Sequence, residues 1–273
     1  MSEQSSDNRR SIFITGGASG IGRAIARYFG ERGWFVGIAD VNVQGMEDTL
    51  GLIEGGFKYM HKLDVRDRAE WDVALEAFAT AAGGRIDVMV NNAGVGIGGS
   101  IHELEAEEIE RCLDINLKGV LFGAQAIYPY LLKTAPGSVL INTASAAGIV
   151  GGSGMSVYSA TKFGVRGITE SLDAEWAEHN IKVASLCPSF IETPLLDGTG
   201  NRSSNEPVRN RVQEAGLEIT PVEEVAKTAW NAVHGSEIHY LVGKTAKQMD
   251  FSKRWMPGRV RKQLRGGMGL LGK

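Results

Sequence analysis

The stretch "TGGASGIG", residues 15–22, decides how the rest of the chain is read. It links "SIFITGG" (11–17), a short apolar run that ends in glycine, to "GIGRAIARYFGERG" (20–33), whose apolar residues recur at helical spacing. Gly16, Gly20 and Gly22 stand in a G-x-x-x-G-x-G pattern, with Ser19 and Ile21 completing the turn. A glycine cluster alone says little, because turns use glycine freely. Placed between a strand and a helix it has a physical purpose: a tight turn, close backbone approach to a pyrophosphate, and a helix N-terminus aimed at the anion.

The same alternation continues outward. "FVGIAD" (35–40), "KYMHKLDV" (58–65), "RIDVMVNNAG" (85–94), "GSVLINTAS" (137–145), "IKVASLCPSF" (181–190) and "HYLVG" (239–243) read as further strands. Helical patterns separate them, including a long one from Glu105 to Lys133 and "SVYSATKFGVRGITESLDAEWAEHN" (156–180). Near-continuous apolar strands alternating with amphipathic helices predict an α/β fold, a doubly wound parallel sheet in a single domain spanning 11–243. Residues 1–10 form a polar leader expected to be mobile. Residues 197–220 are a polar segment too long for a simple connection and are expected to form a lid over the site. Residues 244–273 form a basic extension.

The 273 residues carry a net charge of −3, which conceals an asymmetry. From Lys244 onward nine basic residues face Asp250 alone, so the tail carries +8 and the body −11. An acidic body argues against nucleic-acid binding. The N-terminus lacks the apolar core of a secretory signal and no apolar run is long enough to span a bilayer, so a cytoplasmic location is expected. Cys112 and Cys187 lie far apart without metal-ligand spacing; both are expected to be buried free thiols, with no metal site.

Asp40 ends the second strand, eighteen residues after Gly22, where a carboxylate would accept hydrogen bonds from adenosine ribose hydroxyls. It would also repel a 2′-phosphate by roughly 4 kcal/mol, for unit charges 4 Å apart at an effective dielectric near 20. "ADVNVQ" offers no Arg or Lys beside it, and Ser19 is not basic. NAD is therefore expected over NADP, which is not excluded. Tyr158 and Lys162 are four residues apart, about one helical turn, so their side chains emerge as neighbours on one face. A phenol beside an ammonium is a place where a proton can be exchanged.

With "TGGASGIG" (15–22), "LDV" (63–65), "NNAG" (91–94), Asn116, Ser145, Tyr158 with Lys162, and "CPSFIETP" (187–194) all in order, the chain resembles a classical short-chain dehydrogenase/reductase (SDR), with its Rossmann-type fold, from about residue 11 to 243. The resemblance implies that Tyr158 is the general acid/base, that Lys162 binds the nicotinamide ribose and lowers the Tyr158 pKa, and that Ser145 holds the substrate oxygen. It further implies that Asn116 interrupts the long helix and supports a proton-relaying water. Asp64 and Val65 would contact adenine, and Asn92, Ala93 and Gly94 would line the cofactor trough. Ile191 and Thr193, following Pro188, would bond the nicotinamide carboxamide. Ser189 departs from the family's usual Pro-Gly, which puts the geometry of that turn in question. A homo-oligomer, dimer or tetramer, is implied as well.

The substrate-facing segments should be "GVGIGGSI" (94–101), "AAGIVGG" (146–152), Met155 and "FIETPLL" (190–196). They are small or apolar, hold no Arg or Lys, and have Glu192 as the nearest charge. This predicts a small-molecule substrate: a neutral, hydrophobic secondary alcohol or ketone, with room for a bulky group. His102 is expected to be a surface residue. The tail is expected to pack on a neighbouring subunit or cover the active site; peripheral contact with an anionic membrane is the less favoured use, because Pro257 and Gly266–Gly267 prevent one continuous helix. Two alternatives stay open: an NADPH-dependent ketone reductase, and a non-catalytic dinucleotide-sensing protein.

Overall fold

The computed structural model describes residues 9–55, 57–198, 202 and 206–265. Seven parallel strands form one sheet: β1 (Ser11–Thr15), β2 (Phe35–Asp40), β3 (Lys58–Lys62), β4 (Val88–Asn91), β5 (Val139–Thr143), β6 (Lys182–Pro188) and β7 (His239–Val242). Their order is β3-β2-β1-β4-β5-β6-β7, so the chain winds outward in both directions from β1 and β4. In such sheets the crevice outside the strands' carboxyl ends, where the winding reverses, is the place a ligand can enter.

Burial explains the strand sequences. Every residue of β1, β4 and β5 is buried, which demands apolar character on both faces. Alternate residues serve opposite layers. Ile12, Ile14, Val88, Val90, Val139 and Ile141 join a core with Ile25, Phe29 and Val225; Phe13, Met89 and Leu140 join the other with Trp71, Phe78 and Ile127. The first layer holds α1 (Gly20–Gly30) and α9 (Val222–His234). The second holds α3 (Arg68–Ala81), the long helical run and α6 (Ser156–Trp176). Beside β2 and β3, α2 (Val43–Gly51) is capped by the Asn42 side chain, which accepts from the Gly45 N–H at 3.0 Å.

The predicted long helix is two helices in line, α4 (Ala106–Leu113) and α5 (Gly119–Thr134), joined by a wide π turn over Asp114–Lys118. There the Gly119 N–H donates to the Asp114 carbonyl, five residues back. Asn116 sits inside this turn, fully buried.

Three segments differ from expectation. The predicted lid holds two short helices, α7 (Leu195–Gly198) and α8 (Val208–Glu214). Val208 and Val212, one turn apart, bury themselves against Leu196, Met155 and Phe190, a pattern overlooked in a segment that looks polar on composition. Residues 199–201 and 203–205 of the lid lie outside the described residues, as do 1–8 of the leader. Arg9 and Arg10, also assigned to the mobile leader, are fastened: Arg9 lies over Phe57 at 3.5 Å and Arg10 over Trp34 at 4.5 Å. The tail forms α10 (Lys244–Trp255) and α11 (Pro257–Arg265), divided at Pro257. Both pack onto the body through Met249, Val260 and Leu264, which meet a cluster containing Ile149, Val150 and Cys187. Residues 266–273 lie outside the described residues.

Among the described residues, no helix is long and apolar enough to cross a membrane. No His/Cys/Asp/Glu group among them could hold a metal. Cys112 and Cys187 are buried free thiols.

Candidate active site

The glycine turn leads from β1 into α1, with the helix N-terminus beside a cleft of 350 Å³. Gly20 takes φ +51°, open to glycine and strained for other residues. At Gly22 a Cβ would run into the Gly16 carbonyl oxygen, and at Gly16 it would come within 2.9 Å of the Ala93 Cα. Bare backbone is thus required along this wall. Gly16, Ser19, Gly20 and Ile21 line the cleft with Asp40, Asp64, Val65, Asn92, Ala93, Gly94 and Thr193. Gly22 lies behind them, setting the close packing of the turn.

Asp40 is oriented by backbone. Its carboxylate accepts from the Ala18 N–H at 3.1 Å and the Asn42 N–H at 3.0 Å, so it both fastens the glycine turn and faces the cleft. Asp64 pairs with the Arg66 guanidinium at 2.6 Å, a contact that holds its carboxyl below the ordinary range. Asn92 donates through Nδ2 to the Thr15 carbonyl at 2.9 Å, which locks the end of β4 to β1.

A second cavity of 100 Å³ continues toward the reacting groups. It is lined by Ile21, Asn92, Gly94, Ser145, Tyr158, Lys162, Pro188, Ile191 and Thr193, among others. The segment after β6 is fixed by a short ladder in which the Glu192 N–H donates to the Thr220 carbonyl at 3.0 Å and the Thr220 N–H to the Phe190 carbonyl at 2.8 Å. Ser189 donates through its hydroxyl to the Val242 carbonyl at 3.2 Å, tying the turn to β7 where the family's glycine would have no side chain to do so.

Ser145 follows β5 and is 8% exposed; its hydroxyl oxygen accepts from the Ala147 N–H at 3.1 Å. Tyr158 and Lys162 enter from α6 one turn apart. The Lys162 ammonium donates to the Thr143 carbonyl at 2.8 Å and stands 5.6 Å from the centre of the Tyr158 ring. Asn116 grips the Val95 backbone from both ends: Oδ1 accepts from its N–H and Nδ2 donates to its carbonyl, each at 2.8 Å. This holds the loop after β4 against the π turn between α4 and α5.

The electrostatics depart from expectation. The Tyr158 phenol is pushed up to about 12 by burial, only partly offset by the Ser145 hydroxyl. The residue as a whole is half-buried, yet protein surrounds its hydroxyl closely enough for desolvation to dominate. Burial also lowers Lys162 from 10.5 to about 8. Burial therefore opposes ionisation of both groups in the protein alone, and the lowering of the Tyr158 pKa that the resemblance implies would draw on the positive charge an oxidised nicotinamide adds.

A match to the short chain dehydrogenase family covers residues 10–203. This chain belongs to that family. It is 31% identical over 260 residues to the oxidoreductase SadH of Mycobacterium tuberculosis, covering 93% of this chain and 94% of the relative. A short chain dehydrogenase/reductase from Burkholderia phymatum, solved with NAD, superposes with a TM-score of 0.81 at 25% identity, over 95% of this chain and 97% of that one. An actinorhodin polyketide ketoreductase solved with NADPH gives 0.76 at 28% identity, over 88% and 97%. The glycine cradle fits the same kind of ligand, a nicotinamide dinucleotide.

In this family member a third cavity, of 90 Å³, opens on Tyr158 and Ser145 and is walled by Ile97, Met155, Phe190, Leu195, Leu196 and Val208. Two expectations about its charge are corrected. Arg211 from α8 stands on this wall, although no Arg or Lys was expected there; it lies fifteen residues beyond the last segment assigned to the substrate, and α8 carries it back. Glu192, expected to be the nearest charge and to repel anions, is paired with Arg209 at 2.6 Å, which also binds Asp197 at 2.6 Å. That guanidinium holds both carboxyls below their ordinary values and ties α7 to α8. His102 is exposed, as is Ile101 of the predicted substrate segments.

Residues in the dinucleotide cleft that the sequence left unmarked include Arg111 and Ile115, on successive turns around the end of α4. Their i, i+4 spacing is ordinary helix patterning, and only the wide turn at Asn116 aims them at the cleft. Met249 and Leu264 of the tail also reach the catalytic region.

Proposed function

We propose that this oxidoreductase transfers hydride between NAD(H) and a neutral, hydrophobic secondary alcohol/ketone pair. The supporting observation is the apolar cavity that opens on the Tyr158 and Ser145 hydroxyls, next to the cleft behind the glycine turn. Gly16, Ser19, Gly20 and the α1 N-terminus would hold the pyrophosphate, Asp40 the adenosine ribose, and Lys162 the nicotinamide ribose. The bound nicotinamide would supply or accept the hydride and, when oxidised, add positive charge. Ser145 would hold the substrate oxygen, and Tyr158 would donate a proton to a ketone or take one from an alcohol. Leu195, Leu196 and Val208 would exclude water from the reacting carbon, making α7 and α8 a lid. Exposed Leu121 and Leu132 on α5 and Phe163 on α6 support self-association as a dimer or tetramer.

Initial rates at 340 nm over a panel of hydrophobic ketones and alcohols test the proposal. NADH should exceed NADPH in kcat/KM by about 10- to 100-fold, less than the full Coulomb penalty because Asp40 borders solvent. Asp40→Ala should narrow that ratio chiefly by improving NADPH. Equal use of both cofactors would overturn the NAD assignment. Cofactor binding without turnover of any compound would favour the dinucleotide-sensing alternative.

A further inference from the structure

A fourth cavity, of 60 Å³, lies on the far side of Ser145 from the lid. Its walls are Ala147, Val150 and Gly152 on one side, and Met249 of α10 with Leu264 of α11 on the other. Ser145, Met155, Ser189 and Phe190 line both this chamber and the one beneath α7 and α8. Ser145 therefore stands at the junction of two chambers, one apolar apart from its serines and the other, on the side of Tyr158 and the lid, apolar but for Arg211 at its wall. The C-terminal helices are seated by Met249, Val260 and Leu264 on the buried residues Ile149, Val150 and Cys187, so this second roof belongs to the packed body.

A carbonyl carbon has two substituents. Held by its oxygen at Ser145 and Tyr158, it would send them apart, about 120° from one another, to either side of the bound oxygen. We infer that the substrate is an internal ketone or alcohol with apolar groups on both sides of the reacting carbon, one under the lid and the other under the C-terminal helices, where Met249 and Leu264 determine how large it can be. This inference rests on the proposed alcohol/ketone chemistry and adds the substrate class. Apart from the Ser145 and Ser189 hydroxyls the second chamber's side chains are hydrocarbon and the Met155 and Met249 thioethers, so its occupant is an alkyl or aryl group and not a polar one.

The test compares two ketones sharing a phenyl group, acetophenone with a methyl second arm and hexanophenone with a pentyl one. Wild-type protein with NADH should reduce both. Met249→Trp and Leu264→Trp, each filling the chamber, should lower kcat/KM for hexanophenone at least tenfold more than for acetophenone. Met249→Ala should shift the ratio the other way. NADH affinity and melting temperature, measured on each variant, should match wild type. Equal losses on both ketones, or an unchanged ratio in every variant, would overturn the inference. Wild-type turnover of acetophenone alone would refute it while leaving the proposed reaction standing. Turnover of no ketone with either cofactor would refute both.

Discussion

Tyr158→Phe is expected to lower turnover by at least a thousandfold while leaving NADH affinity within twofold of wild type. The substitution removes one oxygen from a side chain whose ring still fills its place on α6. That oxygen would be the proton donor positioned beside Ser145 at the mouth of the apolar cavity. General acid/base catalysis by a positioned side chain contributes about 10²–10⁴-fold, and here it would neutralise the charge that develops on the substrate oxygen as hydride reaches the carbon. The phenol is pushed up to about 12, so at neutral pH it stays protonated and is ready to donate toward a ketone. The same value makes alcohol oxidation the harder direction for the chain's own groups. Bringing the phenol from about 12 to 7 needs roughly 7 kcal/mol. A cation about 5–6 Å away at an effective dielectric near 20 supplies roughly 3 kcal/mol, and a second one nearby is required to complete it. Rates should be measured at saturating NADH and affinity by quenching of protein fluorescence. Retention of more than a tenth of the activity would remove Tyr158 from the acid/base role.

Lys162→Met should be the second large loss, about 10²–10⁴-fold in kcat/KM, and it should come without loss of stability. Burial lowers the Lys162 pKa from 10.5 to about 8, so the folded state holds the charged form reluctantly. The sign follows: between about pH 8 and 10.5 the unfolded chain binds the extra proton, and stability rises with pH across that window. Below it, the buried charge costs the fold roughly 3 kcal/mol. Methionine of similar length removes that cost and leaves the Thr143 carbonyl without its donor, a loss of about 1–3 kcal/mol. The two nearly cancel. The melting temperature should stay within a few degrees of wild type at pH 7, and the rise in stability between pH 8 and 10.5 should flatten. A collapse in melting temperature alongside activity would make Lys162 a structural residue, and unchanged activity would exclude it from the site.

Much of this was legible before any coordinates. The strand-glycine-helix passage at 11–33 places the cleft, because its three glycines have to let backbone approach backbone. That the remaining strands lie parallel and covered on both faces follows from their nearly unbroken apolar character. The Tyr158–Lys162 spacing puts both groups on one face of α6, and the structure sets them facing the same cavity as Ser145. What escaped depends on distance through space. Arg211 and Val208 come from a segment whose composition looks like a loop, and their place on the cavity wall depends on how α8 packs against Leu196 and Phe190. Covering of the active site was one of the tail's two expected uses, but that Met249 and Leu264 are the residues reaching the second chamber depends on how the two tail helices fold back. The upward push of burial on the Tyr158 phenol was not legible for a related reason. Spacing reveals the neighbour, whereas desolvation depends on everything else around the hydroxyl.

The most direct test of this account is a titration of the Tyr158 phenol, read as the difference in absorbance at 295 nm between wild type and Tyr158→Phe, with and without saturating NAD⁺. Without NAD⁺ the difference should stay flat up to about pH 10.5, as expected of a phenol pushed up to about 12. With NAD⁺ the step should move down by about two pH units or more, drawn by the added positive charge. A step at the same pH in both conditions, or one near neutrality without NAD⁺, would contradict it.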